Sequence, residues 1–205
     1  MVVVECVAHR RVQSADVLLQ AIGQSRSGVS RIRLAARLHD VGKTAIPATI
    51  LKKPGPLDQQ EWEFMRCHPL IGERIARAAP ALASSATLIR STDERIDGTG
   101  YPDRLVADSI PLGSRIIAVC DAFDAMTSER PYRGTVGIEA ALKELKRCAG
   151  TQFDANIVET FCRQTTLHQH SAKQPRRSTT IYLRPRMHAV PAVSLPPVSL
   201  PRPLN

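Results

Sequence analysis

Aromatic side chains are scarce in this sequence: they make up 4% of its 205 residues, whereas hydrophobic residues make up 43%. Strands are enriched in aromatic and β-branched residues, so this balance argues against a β-sandwich or barrel. A core of alanine, leucine, isoleucine and valine suits packed helices better. No segment shows convincing alternation of apolar and polar residues, and the sequence therefore predicts an all-α helical bundle.

Long apolar runs and paired cysteines are also missing. No stretch approaches the 18 or so apolar residues of a membrane-spanning helix, and the start of the chain lacks the basic and apolar regions of a signal peptide. The five cysteines lie far apart and form no CxxC or zinc-type spacing. The sequence thus predicts a cytoplasmic protein with reduced, mostly buried thiols and no membrane span.

Acidic residues are absent from the last part of the chain, residues 160–205, which contains seven lysines and arginines. Without these seven, 21 basic residues face 19 acidic ones, so the net charge of +9 belongs mainly to this end. A nearly neutral globular part does not indicate a nucleic-acid polymer as partner. Composition predicts a domain over 1–164 and a basic, proline-rich, disordered tail over 165–205.

Apolar spacing outlines the helices. It predicts one helix over 27–40, a capped helix after Asp58, a helix over 81–92, a buried helix over 114–126 and a last helix over 154–162. Asp58 followed by Glu61 has the spacing of a capping box.

The motif His39-Asp40-Val-Gly-Lys43 carries the first chemical signal, because it places an imidazole, a carboxylate and an ammonium close together. Such a set can bind a divalent metal ion and hold a phosphate beside it. A phosphoester hydrolase without a covalent nucleophile needs an activated water, which divalent metals supply. An isolated His-Asp pair is common, however, and by itself has no special meaning.

Two further residues are candidate ligands. His68 precedes a proline and could equally be a capping or packing residue. Asp121 lies in a strongly apolar helix, where a carboxylate needs a cation or strong donors nearby. Asp124 is near the same face, and we favour Asp121 as the ligand because the sequence around it is the more apolar.

The chain resembles the HD-GYP domain, a branch of the HD metal-dependent phosphohydrolase superfamily, over most of residues 34–161. The matching blocks are Leu38–Lys43, Ile50–Leu57, His68–Gly72, Asp93–Pro102, Arg115–Ser128, Arg130–Arg133 and Gly150–Asp154. Many ordered blocks of this kind make the resemblance highly specific.

This resemblance implies the helical HD bundle and hydrolysis of cyclic di-GMP, a bacterial second messenger, to pGpG or GMP. It implies iron or manganese as metal, with His39, Asp40, His68 and Asp121 as ligands. Lys43 matches the lysine that contacts the substrate phosphate. Further substrate contacts are implied for Arg115, Arg133 and the Gly100-Tyr101-Pro102 loop, although the loop could also be a rigid turn without direct contact.

Near the start of the chain, Glu5 and His9 have the spacing of an upstream glutamate and histidine of the family. If this weaker match holds, His9 is a further metal ligand and Glu5 serves a third metal ion. If it does not, the chain begins inside the first helix of the domain.

The chain departs from the family at Thr92 and Asp93, where two adjacent histidine ligands are usual. Threonine is a poor ligand, whereas Asp93 can replace an imidazole by a carboxylate, which suits hard metals. We therefore expect two ions rather than three, manganese rather than iron, and His9, His39, Asp40, His68, Asp93 and Asp121 as the ligand set. Catalysis would depend on Asp40 and Lys43.

Two alternatives remain at this stage. The altered pair leaves room for a phosphohydrolase of another phosphoester or nucleotide, or for a catalytically impaired module that binds the dinucleotide or a protein. The family also suggests a homodimer or a signalling protein as partner. The intact His39, Asp40, Lys43, His68 and Asp121 favour an enzyme.

Overall fold

The chain folds into a bundle of helices. The computed structural model describes residue 18 and residues 23–128 and 137–173, with side chains as far as residue 167. The α-helices are α1 (Arg26–Leu38), α2 (Ala48–Leu51), α3 (Gln59–Arg66), α4 (His68–Ala78), α5 (Ala86–Arg90), α6 (Leu112–Thr127), α7 (Ile138–Arg147) and α8 (Ala155–Lys173). Short 3₁₀ turns span Val41–Ala45, Ala83–Ser85 and Ala107–Ser109.

Within the described residues there is no β-strand, only two isolated bridges, Asp97 with Val106 and Ala149 with Phe153. The all-α class predicted from the sequence is confirmed. In the same part of the chain, no helix has the length and apolar character needed to cross a membrane.

Local sequence sets the helix starts. Ser25 caps α1 by accepting a hydrogen bond from the Gly28 amide at 3.2 Å. The predicted capping box opens α3: the Glu61 amide donates to Asp58 Oδ1, and the Asp58 amide donates to Glu61 Oε2. Each cap satisfies backbone donors that a helix start leaves unpaired.

The core surrounds α6, which contacts α1, α5, α7 and α8. Ile116, Ile117, Val119 and Cys120 of α6 are almost completely buried. Phe123 of α6 meets Phe161 of α8 edge to face, with ring centroids 5.0 Å apart. Among the described cysteines, Cys120, Cys148 and Cys162 are buried free thiols and Cys67 is exposed, as the composition suggested.

Two helix predictions are wrong in extent. Residues 81–92 form a 3₁₀ turn followed by the five-residue helix α5 rather than one continuous helix. The last helix runs to Lys173, past its predicted end at Cys162 and past the predicted domain boundary after residue 164. No proline or glycine interrupts residues 163–173, so the helix has no local reason to stop.

Candidate metal centre

His39 and Asp40 lie at the junction of two elements. Helix α1 ends at Leu38, His39 is its C-cap, and Asp40 precedes the 3₁₀ turn Val41–Ala45. The pair was expected on the last turn of a helix, but the chain has already left α1. The change of helix type turns both side chains toward the N-terminal end of α4 and toward α6.

Gly42 joins this turn to α4 through direct backbone contact. A Cβ atom on Gly42 would lie 1.9 Å from the carbonyl oxygen of His68 and 2.7 Å from the amide nitrogen of Gly72. No side chain fits in that space. Glycine therefore allows the His-Asp turn and the start of α4 to approach closely enough to share a site.

Both histidines are oriented in the same way. His39 Nδ1 lies 3.0 Å from the Ala36 carbonyl oxygen, and His68 Nδ1 lies 2.8 Å from the Met65 carbonyl oxygen. A carbonyl only accepts, so each Nδ1 carries a hydrogen. Each neutral ring then has its lone pair on Nε2, which is the arrangement found in metal-binding histidines.

Three carboxylates surround the two Nε2 atoms. His39 Nε2 lies 3.5 Å from Asp40 Oδ1 and 3.7 Å from Asp121 Oδ1. His68 Nε2 lies 3.8 Å from Asp40 Oδ1 and 3.2 Å from Asp93 Oδ2. Asp40 is thus the residue common to both histidines, and the five side chains form one connected group.

Lys43 completes the turn, with its Nζ 2.7 Å from Asp40 Oδ1. Burial alone would raise the pKa of Asp40, but His39 and His68 in their protonated forms, together with the charge and hydrogen bond of Lys43, lower that pKa below its ordinary value. Asp40 therefore remains a carboxylate well into the acidic range. Lys43 is more than a third exposed and lines the same cleft.

Asp121 lies beside His39, but the reason for which the sequence favoured it is wrong. Asp121 is partly exposed, whereas Asp124 is buried and accepts a hydrogen bond from Ser128 Oγ. The more enclosed carboxylate therefore helps to end α6. The more open one lines the cleft.

Thr92 and Asp93 have different surroundings. The Thr92 hydroxyl donates to the Leu88 carbonyl oxygen at 2.8 Å, and the side chain is buried. Asp93 points inward, to His68. The sequence alone could not establish this orientation of Asp93.

The Gly-Tyr-Pro loop packs directly on the segment that carries Asp93. A Cβ on Gly100 would lie 2.4 Å from the Arg95 amide nitrogen and 2.5 Å from the Glu94 Cα. The Tyr101 amide donates to the Asp93 carbonyl oxygen at 3.3 Å. Burial, the charge of Asp93 and a hydrogen bond between the two side chains raise the pKa of Tyr101. The loop thus touches the candidate ligand set instead of lying apart from it.

Two residues that the sequence did not single out anchor this loop. The buried carboxylate of Glu94 accepts the amides of Asp103 and Leu105, and its pKa is raised by burial despite those bonds. Arg90 forms a two-pronged contact with Asp103, at 2.6 Å on each side, and also donates to Glu73 at 2.6 Å. These partners lie 13 and 17 residues from Arg90, so no local pattern indicates the contacts.

Arg115 does not belong to the connected group of two histidines and three aspartates. Its side chain is 14% exposed and its Nη1 donates to Asp154 and Asp108 at 2.7 Å each. It lines a small cavity that adjoins the cleft, because Glu94, Ala118, Gln152 and Phe153 line both. The ion pair with Asp154 anchors Arg115 to the start of α8, and its contact with substrate stays a prediction. Glu5, His9, Arg130 and Arg133 lie outside the described residues.

The donor set fits a divalent metal. His68 Nε2 is buried without a hydrogen-bond partner and faces two carboxylates. A nitrogen lone pair that points at a negatively charged carboxylate is repelled by it unless a cation lies between the two. In the described part of the chain, no three histidine, cysteine, aspartate or glutamate side chains already stand in an arrangement that could hold a metal ion.

The cleft among these residues has a volume of about 230 Å³. Four of the candidate ligands line it, together with Lys43, and its walls also include Arg95, Tyr101, Ala118, Gln152 and Phe153. Arg95 is held there by Asp97 and Thr99. The cleft is therefore lined by both positive and negative groups, as a site for a metal ion and a phosphate must be.

Comparison with known proteins gives consistent matches. The family described as HD domain matches residues 7–157. A cyclic di-GMP phosphodiesterase of Thermotoga maritima is 40% identical over 146 residues, which are 70% of this chain and 40% of that protein. A 3'3'-cGAMP-specific phosphodiesterase of Vibrio cholerae is 42% identical over 144 residues, 69% of this chain and 28% of that protein.

The fold has known counterparts too. The crystal structure of a cyclic GMP-AMP specific phosphodiesterase from V. cholerae superimposes with a TM-score of 0.64 at 20% identity. It covers 81% of this chain, and the match covers 45% of that structure. The chain thus spans less than half the length of these relatives.

Proposed function

The chain belongs to the HD domain family and resembles its HD-GYP branch, and on this basis we propose that it is a metal-dependent phosphodiesterase that hydrolyses cyclic di-GMP to pGpG and GMP. One observation carries the proposal: the Nε2 atoms of His39 and His68 are both directed at Asp40, although the two histidines come from separate elements. The names of the relatives support the same reaction class.

We assign the metal to His39, Asp40, His68, Asp93 and Asp121, with His9 as a further ligand implied by the resemblance. Asp40 would serve two ions, because it alone lies near both histidines. When bound, divalent ions lower the pKa of a water molecule and neutralise charge on the phosphate. Three of the five described ligands are carboxylates, and this oxygen-rich set favours manganese over iron.

The side chains of the cleft have distinct tasks. Lys43 is held beside Asp40 and is exposed to the cleft, so it can donate to a non-bridging phosphate oxygen. That contact counters the negative charge that grows on the phosphate in the transition state. Tyr101 closes one wall and donates to Asp93. Arg133 is retained as a further phosphate contact from the resemblance.

Hydrolysis of cyclic di-GMP in the presence of Mn²⁺, followed by separation of the nucleotides, tests the proposal. We expect pGpG and GMP from the wild-type chain and none from the His39→Ala, Asp40→Ala double variant. Asp108→Asn is a suitable control because Asp108 is 94% exposed. Tight binding of the dinucleotide without turnover would instead support a binding module.

A second cyclic dinucleotide, 3'3'-cGAMP, should also be tested as a substrate. The Vibrio relative is named for 3'3'-cGAMP, which differs from cyclic di-GMP in one base. Both dinucleotides should therefore be compared in the same assay. Association with a second copy or with a signalling protein stays a prediction from the resemblance, and light scattering of the purified protein would measure the first.

A further inference from the structure

A groove of about 540 Å³ adjoins the cleft on the far side of Tyr101. One wall is the junction of α3 and α4, with Arg66, Cys67 and Leu70, and the other is the loop from Gly98 to Arg104. Tyr101 lines both the groove and the cleft. A ligand that extends from the cleft across Tyr101 therefore enters this groove.

Size indicates that a dinucleotide needs both spaces. Sites for small organic ligands usually enclose about 300–1,000 Å³. The cleft, at about 230 Å³, is smaller than that and holds only a phosphate and its surroundings, whereas the groove is within the range. A substrate with its phosphodiester beside Asp40 and Lys43 must place a nucleoside elsewhere, and the groove is contiguous.

The groove is positively charged. Of the described residues that line it, two are arginines and none is acidic. Arg90, Arg95 and Arg115 around the site are all paired with carboxylates. In the described part of the chain, the guanidinium groups of Arg66 and Arg104 have no such pairing. Their donors are thus available to a ligand.

The other walls suit a flat base. Leu70, Pro102 and Tyr101 provide apolar and aromatic surface, and the Arg66 guanidinium lies 5.9 Å over the ring of Trp62. Guanine presents two acceptors, O6 and N7, on one edge, and arginine is the side chain that most often satisfies both. Adenine presents a donor in place of O6, which repels a guanidinium.

We propose that this groove binds a guanine base of the substrate, with Arg66 and Arg104 donating to its O6 and N7 edge. The inference rests on the proposed function for its substrate, but it concerns base selection and not the metal centre. It predicts a preference for guanine over adenine at one of the two base positions of a cyclic dinucleotide.

Calorimetric titration with GMP and with AMP, without added metal, tests the base preference directly, because the two ligands carry the same phosphate. We expect the wild-type chain to bind GMP at least about tenfold more tightly than AMP, as one arginine–guanine pair provides. The Arg66→Ala, Arg104→Ala double variant should lose this ratio. Arg74→Ala, an exposed arginine of α4 that does not line the groove, should keep it.

Titration with inorganic phosphate shows whether the two arginines bind the base or the phosphate of GMP. If the double variant weakens GMP, AMP and inorganic phosphate by the same factor, the two arginines bind phosphate and the proposal is wrong. Equal binding of GMP and AMP by the wild type would also overturn it, as would a failure of GMP to bind.

Turnover gives the second readout. With Mn²⁺, the double variant should raise the KM for cyclic di-GMP about tenfold while its rate on bis(p-nitrophenyl) phosphate, which has no purine, stays within about twofold. An unchanged KM would refute base binding in the groove and would leave the proposed phosphodiesterase activity unaffected. Cleavage of the nitrophenyl ester without cleavage of cyclic di-GMP would refute the proposed substrate, and the GMP and AMP titration would still decide the base site.

Discussion

The Nε2 atom of His68 lies 3.2 Å from Oδ2 of Asp93, and no hydrogen bond joins them. His68 donates through Nδ1 to the Met65 carbonyl, so in the neutral ring the facing nitrogen carries the lone pair. A lone pair and a carboxylate at this separation repel each other and attract a shared cation. We therefore expect Asp93 to take the role of the histidine that the family usually has there.

Asp93→Asn should weaken binding of Mn²⁺ by about tenfold or more, because removal of even an indirect partner of a metal ligand commonly costs that much. Titration calorimetry with Mn²⁺ measures the change. Thr92→Val is the matched control, since the Thr92 hydroxyl is bonded to the Leu88 carbonyl. Ser114 also donates to that carbonyl, which keeps it satisfied in the variant. Equal effects of the two substitutions would remove Asp93 from the ligand set.

Gly42→Ala should destabilise the protein by about 3 kcal/mol, because the added Cβ overlaps the backbone of α4 and not a movable side chain. It should weaken Mn²⁺ binding as well. Urea unfolding at neutral pH gives the stability. Gly137→Ala, where a Cβ meets open space, should change stability by less than about 1 kcal/mol. If the two variants unfold alike, the close approach of the turn and α4 is not as described.

Arg90→Met should cost about 1–3 kcal/mol at neutral pH, the usual range for hydrogen bonds to charged partners. The Arg90 contact lowers the pKa of Asp103, and Arg90 and Arg77 together lower the pKa of Glu73 against the opposing effect of burial. Carboxylates with lowered pKa stabilise the fold above their ordinary values of 3.8 and 4.5, and this stability is lost as the pH falls below those values.

The difference in unfolding free energy between wild type and Arg90→Met should therefore shrink between about pH 5 and pH 3. Urea unfolding at several pH values in this range measures it. Arg147→Met is the control, because its contact with Glu144 is at the surface and should affect stability less. A difference that stays constant down to pH 3 would contradict the assigned pairing.

Arg115→Met separates an anchoring role from contact with substrate. Because Arg115 and Asp154 are both largely buried, loss of the pair should lower stability by about 2–3 kcal/mol. The KM for cyclic di-GMP should change by less than about twofold. The control Asp108→Asn should affect neither property. A raised KM at unchanged stability would restore the role that the resemblance implied.

The sequence was sufficient for the helical class and for most helix starts, because capping residues and apolar spacing act locally. The capping box at Asp58 and Glu61 is an example. The extent of α8 could not be read in the same way, since composition changes gradually there and the first proline comes only at Pro175. Helix α5 is short although no proline or glycine lies in residues 81–92, so its extent could not be derived from the local sequence.

In the candidate site, too, local motifs could be recognised from the sequence, whereas contacts between distant segments could not. His39, Asp40 and His68 can be picked out from motifs, but which carboxylate of α6 faces them depends on how that helix is rotated in the bundle. Apolar neighbours in sequence suggested that Asp121 is enclosed, yet Asp124 is the buried one. Arg90, Glu94 and the groove arginines could not be assigned beforehand, because their roles arise from contacts between distant segments.

The backbone contact between Gly42 and His68 also separates two properties of the site. Because main-chain atoms set the spacing between the two histidine-bearing segments, that spacing does not depend on which side chain stands at residue 93. Exchange of a carboxylate for an imidazole there should therefore alter the choice of metal ion and leave the distance between the two segments unchanged.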